Sequence, residues 1–209
     1  GNAAGQNMVT LATNVACEYI RQETGHKFFL DSNLASDKKA SSRNMILGRG
    51  HGVIAETHIT KSVMSRVLNV DPDFVIENWT YFPIVSAMAG TLGNAIHASN
   101  ALTAIYIATG QDTACVAENS VGHFTVEKVD DGITWRLTLP SMTVGTVGGG
   151  TRLNQQQQNL QLLGCDSSEH SSRKLAEIIA AAALGLEISL GSAIMSHTWT
   201  SAHMKYGRK

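Results

Sequence analysis

Apolar residues recur at helical spacing over residues 6–24, where Met8, Leu11, Val15, Ala16, Tyr19 and Ile20 share one side and Gly25 supplies the stop. Residues 27–30 read as a short strand, and residues 53–59 alternate loosely as another. Thr60 is placed to cap a helix running to Leu68. Asp71-Pro72 is a helix start, a capping acid followed by proline at the first helical position. That helix is expected to run toward Met88, with Pro83 kinking or interrupting it. Residues 92–109 carry almost no charge and predict a long buried helix broken at Gly110. Residues 124–129 and 133–139 alternate, and Asp130-Asp131-Gly132 between them makes a hairpin. A short helix is expected over 153–163, a long Ala-rich one from 169 to about 197, and a further one over 199–205. Without repeats, linkers or strict βαβ alternation, the fold class is mixed α/β with long buried helices.

Composition narrows the function. The 209 residues are 43% apolar and 16% charged, with a net charge of −1, so a sizeable core forms and no basic field faces nucleic acid. Aromatic residues, at 6%, are too sparse for a base-stacking surface. Cys17, Cys115 and Cys165 are too far apart for a zinc site or a disulfide framework, and read as buried free thiols in a reducing compartment. The longest apolar run, 178–186, is too short to span a bilayer and is flanked by Glu177 and Glu187, so no membrane segment is expected and the location is cytoplasmic. Opening on Gly1 without an initiator methionine, the chain reads as a piece of a longer protein.

The candidate chemistry sits in polar segments. Asp37-Lys38-Lys39 puts one acid beside two lysines in a loop, able to hold an anion and donate a proton, and burial of such a lysine moves its pKa toward neutrality. Taken alone, such a cluster is more often a solvated surface. Gly145-Thr146-Val147-Gly148-Gly149-Gly150-Thr151 lets backbone approach a ligand closely, although it matches neither a Walker sequence nor G-x-G-x-x-G; a flexible turn is the bland alternative. Gly1-Asn2-Ala3-Ala4-Gly5-Gln6-Asn7 opens onto a helix start, where free N–H groups attract anions. Asp112, after a nearly uncharged helix, needs a cation or a raised pKa unless it is a plain cap. His97 and Asn100 share a face, three residues apart. His203, near the end, has the pKa range of a general acid.

In combination these runs resemble one family, the 3-hydroxy-3-methylglutaryl-CoA (HMG-CoA) reductases, nearest the class I branch. The runs that carry the likeness are Gly1 to Met8, Ser36-Asp37-Lys38-Lys39-Ala40, Gly48-Arg49-Gly50, Ser86 to Gly90, Asn94 to Asn100, Thr103 to Ala108 with Gly110-Gln111-Asp112, Pro140-Ser141 with Gly145 to Thr151, and His203 to Tyr206. The resemblance implies reduction of HMG-CoA to mevalonate and CoA with two NADPH, NADH being the alternative cofactor, and no metal. It implies catalytic roles for Lys38 on the substrate oxygen, Asp112 beside it and His203 on the CoA thiolate. Asn33, Lys39 and Asn100 would hold the hydroxymethylglutaryl part, Asp37 joins the substrate-binding set, and His97 and Ser189 would contact CoA or substrate. Asn2, Gly5, Asn7, Val147, Gly148 and Arg208 would meet the cofactor. The implied architecture is the end of an inserted ferredoxin-like small domain (1–30), a connecting D-K-K loop (31–45) and a large substrate domain (46–209), in a homodimer or homotetramer with the site at the subunit interface. The cytosolic face of a membrane is the alternative location if a preceding region anchors the protein.

Departures from the family pattern are Asn2 where an aspartate is usual, Asp31 where class I enzymes have serine, and Tyr81-Phe82-Pro83 where a substrate lysine is usual. The family's catalytic glutamate belongs to a stretch preceding Gly1. These features keep two alternatives open: a non-catalytic or weakened family member acting as a dimerising or ligand-binding module, and an unrelated nucleotide-binding oxidoreductase.

Overall fold

The computed structural model describes residues 1–166 and 169–207. Helix α1 (Gln6–Thr24) comes first, followed by α2 (Ser42–Leu47), β1 (His51–Thr60) and α3 (Lys61–Val63), which passes into a π-turn at Met64–Leu68. Next are α4 (Pro72–Trp79), α5 (Tyr81–Met88), α6 (Ala98–Thr109) and α7 (Val116–Asn119). The hairpin β2 (His123–Val129) and β3 (Gly132–Met142) precedes α8 (Asn154–Leu162), α9 (Ser171–Met195) and α10 (Thr198–Tyr206). The mixed α/β class stands.

The three strands form one antiparallel sheet in the order β1-β3-β2. Ile133, Trp135, Leu137 and Leu139 alternate along β3 and are fully buried, so one sheet face is core. Gly132 closes the hairpin at φ 156°, where an added Cβ would lie 2.8 Å from the Thr60 Cα. Helix α9 packs on β1 and β3 and against α6. It is long and apolar enough by composition to cross a membrane, yet Leu175, Ile179, Ala183 and Ile188 on it lie in this core. At one end of the sheet, Trp135 and Phe124 stack at 5.7 Å and Trp79 meets both edge-on.

Several expectations need correction. Residues 27–30 form no strand; Phe29 is exposed and no described strand pairs with the segment. The helix expected from Asp71 toward Met88 is interrupted as Pro83 foretold, the break lying at Thr80 because a proline lacks the N–H that would bond the carbonyl four residues back, at Trp79. The helix expected over 92–109 starts only at Ala98. Gly93 takes φ 76°, and the buried Glu187 carboxylate of α9 caps α6 by accepting from the backbone N–H groups of Ile96 (3.1 Å), His97 (2.7 Å) and Ala98 (2.8 Å). Helix α1 has its expected bounds, but no residue of it is buried; Met8, Leu11, Val15 and Tyr19 present their row to solvent. Cys115 and Cys165 are buried free thiols, whereas Cys17 is half-buried.

Candidate active site

Lys38 lies in the D-K-K loop with the left-handed backbone angle φ 58°, a conformation rare for a residue bearing a Cβ. Its Nζ donates to Asp112 Oδ2 at 2.7 Å. Asp112 follows Gly110, which ends α6 at φ 71°, and it caps the 3₁₀ turn Thr113–Cys115 by accepting from Ala114 N–H at 3.1 Å through Oδ1. The two carboxylate oxygens therefore have separate tasks: one fixes the local backbone, the other holds the lysine. Both side chains keep a third or more of their surface exposed (43% and 33%), so the pair adds only about 0–1 kcal/mol to stability.

The Lys38 pKa is raised above its ordinary 10.5, first by the hydrogen bond to Asp112, against a smaller opposing effect of burial. This reverses the expected drift toward neutrality. The lysine is too solvated for burial to win, and Asp112, Cys115 and Asp37 surround it with negative or potentially negative groups.

Two backbone contacts, made by three glycines, draw distant segments together beside Asp112. Gly110 and Gly150 meet backbone to backbone: a Cβ on Gly110 would lie 2.8 Å from Thr151 N, and one on Gly150 would lie 2.8 Å from Gly110 O. A Cβ on Gly145 would lie 2.7 Å from Ala4 N. The Asn2 carbonyl accepts from Thr146 N–H (2.7 Å) and Val147 N–H (3.1 Å), while its side-chain oxygen accepts from Ser172 N–H at 3.2 Å. Gln111 Oε1 accepts from Gly145 N–H at 2.9 Å. The result is a cleft of about 800 Å³ whose walls include Gly5, Asn7, Asp112, Val147 and Gly148. Gly5 and Gly148 have positive φ (78° and 88°) and nothing within 4 Å of where a Cβ would be, so bare backbone faces the cleft. Such a wall suits a phosphate-bearing ligand.

The other candidate residues are placed as follows. Asn33, also left-handed at φ 64°, is exposed and its N–H donates to Asp31 Oδ1 at 2.8 Å. Lys39 is exposed, with Nζ on the Ala35 carbonyl at 3.0 Å. Asp37 Oδ1 pairs with Arg49 Nη1 at 2.6 Å. His97 and Asn100 do share a face and are bonded, Nδ2 to Nδ1, at 2.6 Å, with His97 at the cap of α6. Ser189 is exposed on α9. His203 is exposed on α10, its Nδ1 donating to the Trp199 carbonyl at 2.8 Å with the two rings edge-on at 4.6 Å. That bond fixes the Nδ1–H tautomer in the neutral ring, so Nε2 is the atom left to exchange a proton. Among the described residues no hydrogen bond or ion pair joins His203 to Lys38 or Asp112, and Arg208 lies outside them.

Sequence reasoning gave no role to Arg49, which it noted only within a family run, and passed over Asn44 and Glu118. Glu118 is fully buried, paired with Arg49 and accepting from Asn44 Nδ2 at 2.9 Å. The reasoning applied to Asp112, that an acid in an apolar setting needs a cation, applies equally to Glu118 and would have flagged it.

The sequence model for hydroxymethylglutaryl-coenzyme A reductase matches residues 1–208. The chain belongs to this family. It is 38% identical over its whole length to the 3-hydroxy-3-methylglutaryl-coenzyme A reductase of Methanocaldococcus jannaschii, covering 53% of that protein. Against the enzymes of the same name from Aeropyrum pernix and Aspergillus terreus the identities are 41% and 40%, covering 51% and 21% of those proteins. The chain thus spans about half the length of the first two relatives. Family membership sets aside an unrelated nucleotide-binding oxidoreductase.

Proposed function

We propose that this chain carries the lysine, aspartate and histidine of an HMG-CoA reductase, a reductase of the mevalonate route to isoprenoids, and that it acts within a longer polypeptide. The observation that carries the reading is the 2.7 Å ion pair that joins Lys38 to Asp112, a residue on the wall of the glycine-lined cleft. Reducing a thioester to an alcohol consumes two hydrides, releases a thiol and adds protons at oxygen and sulfur. NADPH, with NADH as the alternative, supplies the hydrides, and the bare backbone at Gly5 and Gly148 fits its phosphates.

The chain's own residues handle charge and protons. Lys38, held cationic by Asp112, donates a hydrogen bond and then a proton to the carbonyl oxygen as negative charge builds there. Asp112 keeps the ammonium aimed at that oxygen. His203 gives its proton to the departing CoA sulfur; among the described residues no bond joins it to Lys38 or Asp112, so this role calls for α10 to close over the substrate or to serve a neighbouring subunit's site. Asn33, Lys39 and Asn100 hold the hydroxymethylglutaryl part, with Asp37 fixing the loop beside them. His97 and Ser189 face CoA or substrate, and Asn2, Asn7, Val147 and Arg208 join Gly5 and Gly148 at the cofactor. Asn2 stands where the family usually has an aspartate and gives Ser172 N–H a neutral acceptor.

Residues 1–30 form the end of a ferredoxin-like cofactor domain, 31–45 the connection and 46–209 the substrate domain. The solvent-facing apolar row of α1 supports this division, since it matches a surface that another part of the protein or another subunit covers. A homodimer or homotetramer with shared sites follows, in the cytoplasm or on the cytosolic face of a membrane. The test is NADPH oxidation by the complete polypeptide on addition of HMG-CoA, with mevalonate and free thiol measured as products. An intact, folded protein that binds the thioester without turnover favours the ligand-binding alternative.

A further inference from the structure

We propose that Arg49 is a positioning residue for the Lys38–Asp112 pair: it bridges buried Glu118 to Asp37 and so fixes the loop that presents Lys38. The inference deepens the reductase reading and rests on it for its kinetic consequence.

The Arg49 guanidinium pairs with both Glu118 and Asp37, the residue immediately before Lys38. A second handle reaches one residue further back. Asn44 Nδ2 donates to the Ser36 carbonyl at 3.0 Å and to Glu118 at 2.9 Å, while Ser36 Oγ donates to Asn44 Oδ1 at 2.6 Å. Both handles are rooted in the Glu118 carboxylate, which is wholly buried. Glu118 and Asp112 flank the same short stretch, so one rigid segment receives Lys38 at one end and anchors Ser36 and Asp37 at the other. The left-handed backbone of Lys38 costs about 1–3 kcal/mol and persists only where its surroundings over-determine it. Two anchors immediately upstream and one ion pair downstream do that.

Burial by itself lowers the Arg49 pKa, but the hydrogen bonds and charges of Glu118 and Asp37 outweigh it, so the cation is secured. The ligating atoms of Asp37, Cys115 and Glu118 lie within 4.8 Å of one another, and the guanidinium already supplies the positive charge between the two carboxylates. The groups that face Lys38 are Asp37 from its own loop, Asp112 at the cap of the 3₁₀ turn and Cys115 within it; among the described residues Arg49 pairs with the acids Asp37 and Glu118.

The test uses the complete polypeptide with Arg49→Ala and Arg49→Lys. Each variant is read by melting temperature, by kcat and KM for HMG-CoA, and by the rate at which an amine-acylating reagent labels Lys38, with Lys39 as the internal control. In Arg49→Ala we expect kcat to fall about 10- to 100-fold, the penalty of a misplaced catalytic group, with KM nearly unchanged. Lys38 labelling should rise about threefold or more as it leaves Asp112, while Lys39 labelling stays constant. Arg49→Lys should recover part of both. A folded Arg49→Ala protein in which Lys38 labelling is unaltered overturns the proposal, whatever kcat does. Should Arg49→Ala fail to fold, Arg49→Lys decides: intermediate labelling supports the bridge and wild-type labelling refutes it. If the unaltered complete protein does not reduce HMG-CoA, the functional reading fails while the labelling still judges the positioning claim.

Discussion

Lys38 is held in three ways at once: by a strained backbone angle, by an ion pair to Asp112 and by the anchoring of the two residues before it. Its amine contributes little to stability, so Lys38→Ala in the complete protein should leave the melting temperature within a few degrees and lower thioester reduction by about 10²- to 10⁴-fold. Activity close to that of the unaltered protein would remove Lys38 from the mechanism. For His203→Gln the expected result is selective: HMG-CoA reduction collapses while free mevaldehyde, which has no thiol to release, is still reduced. Equal loss of both would show that His203 does not serve the sulfur. Because the folded-state pKa of Lys38 lies above its unfolded value, whatever stability the pair adds is present below about pH 10 and is lost as pH rises through the folded pKa. At this scale the sequence pointed to Asp112, because an acid after an uncharged helix needs a cation, and to Lys38 through a loop of one acid and two lysines set among the family's runs. It did not reveal Arg49, whose partners lie 12 positions back and 69 positions ahead, a relation that no local spacing encodes.

Elements were legible where a local rule sufficed and failed where a distant group decided. The hairpin followed from alternation and its Asp-Asp-Gly turn, and α1 from periodicity and Gly25. The start of α6 could not be read, because its cap is a carboxylate 91 residues further along at the farthest of its three bonds. The strand expected over residues 27–30 illustrates the same limit: apolar sequence proposes a strand, but a partner has to complete it. The glycine contact between the end of α6 and the Gly148–Gly150 run carries a prediction of its own. In Gly110→Ala the new methyl would press on the backbone at Thr151 and take a left-handed φ that alanine resists. We expect a loss of about 2–4 kcal/mol in urea unfolding, together with weaker cofactor binding as the cleft wall shifts. An unfolding midpoint equal to that of the unaltered protein would show that the two segments part freely.

On the scale of the whole molecule, the chain contains a core but an incomplete set of surfaces. The sheet, α6 and α9 bury a continuous apolar centre, while α1 and α5 turn Met8, Leu11, Ile84 and Met88 outward. Reduction should therefore need the remainder of the protein: the isolated 209-residue chain is expected to show no HMG-CoA-dependent NADPH oxidation above background, and the complete polypeptide to show it. Turnover by the isolated chain would mean that the three groups it carries suffice. The attachment of the N-terminal segment has a consequence for biosynthesis. Asn2 Oδ1 is secured by the amide of Ser172, 170 positions downstream, and its carbonyl by Thr146 and Val147. Because synthesis runs from the N-terminal to the C-terminal side, Asn2 leaves the ribosome 170 positions ahead of the amide that secures its side chain. Until α9 leaves the exit tunnel the Asn2 side chain lacks its Ser172 partner, and a nascent chain halted before that point would hold this seam open for chaperones to guard.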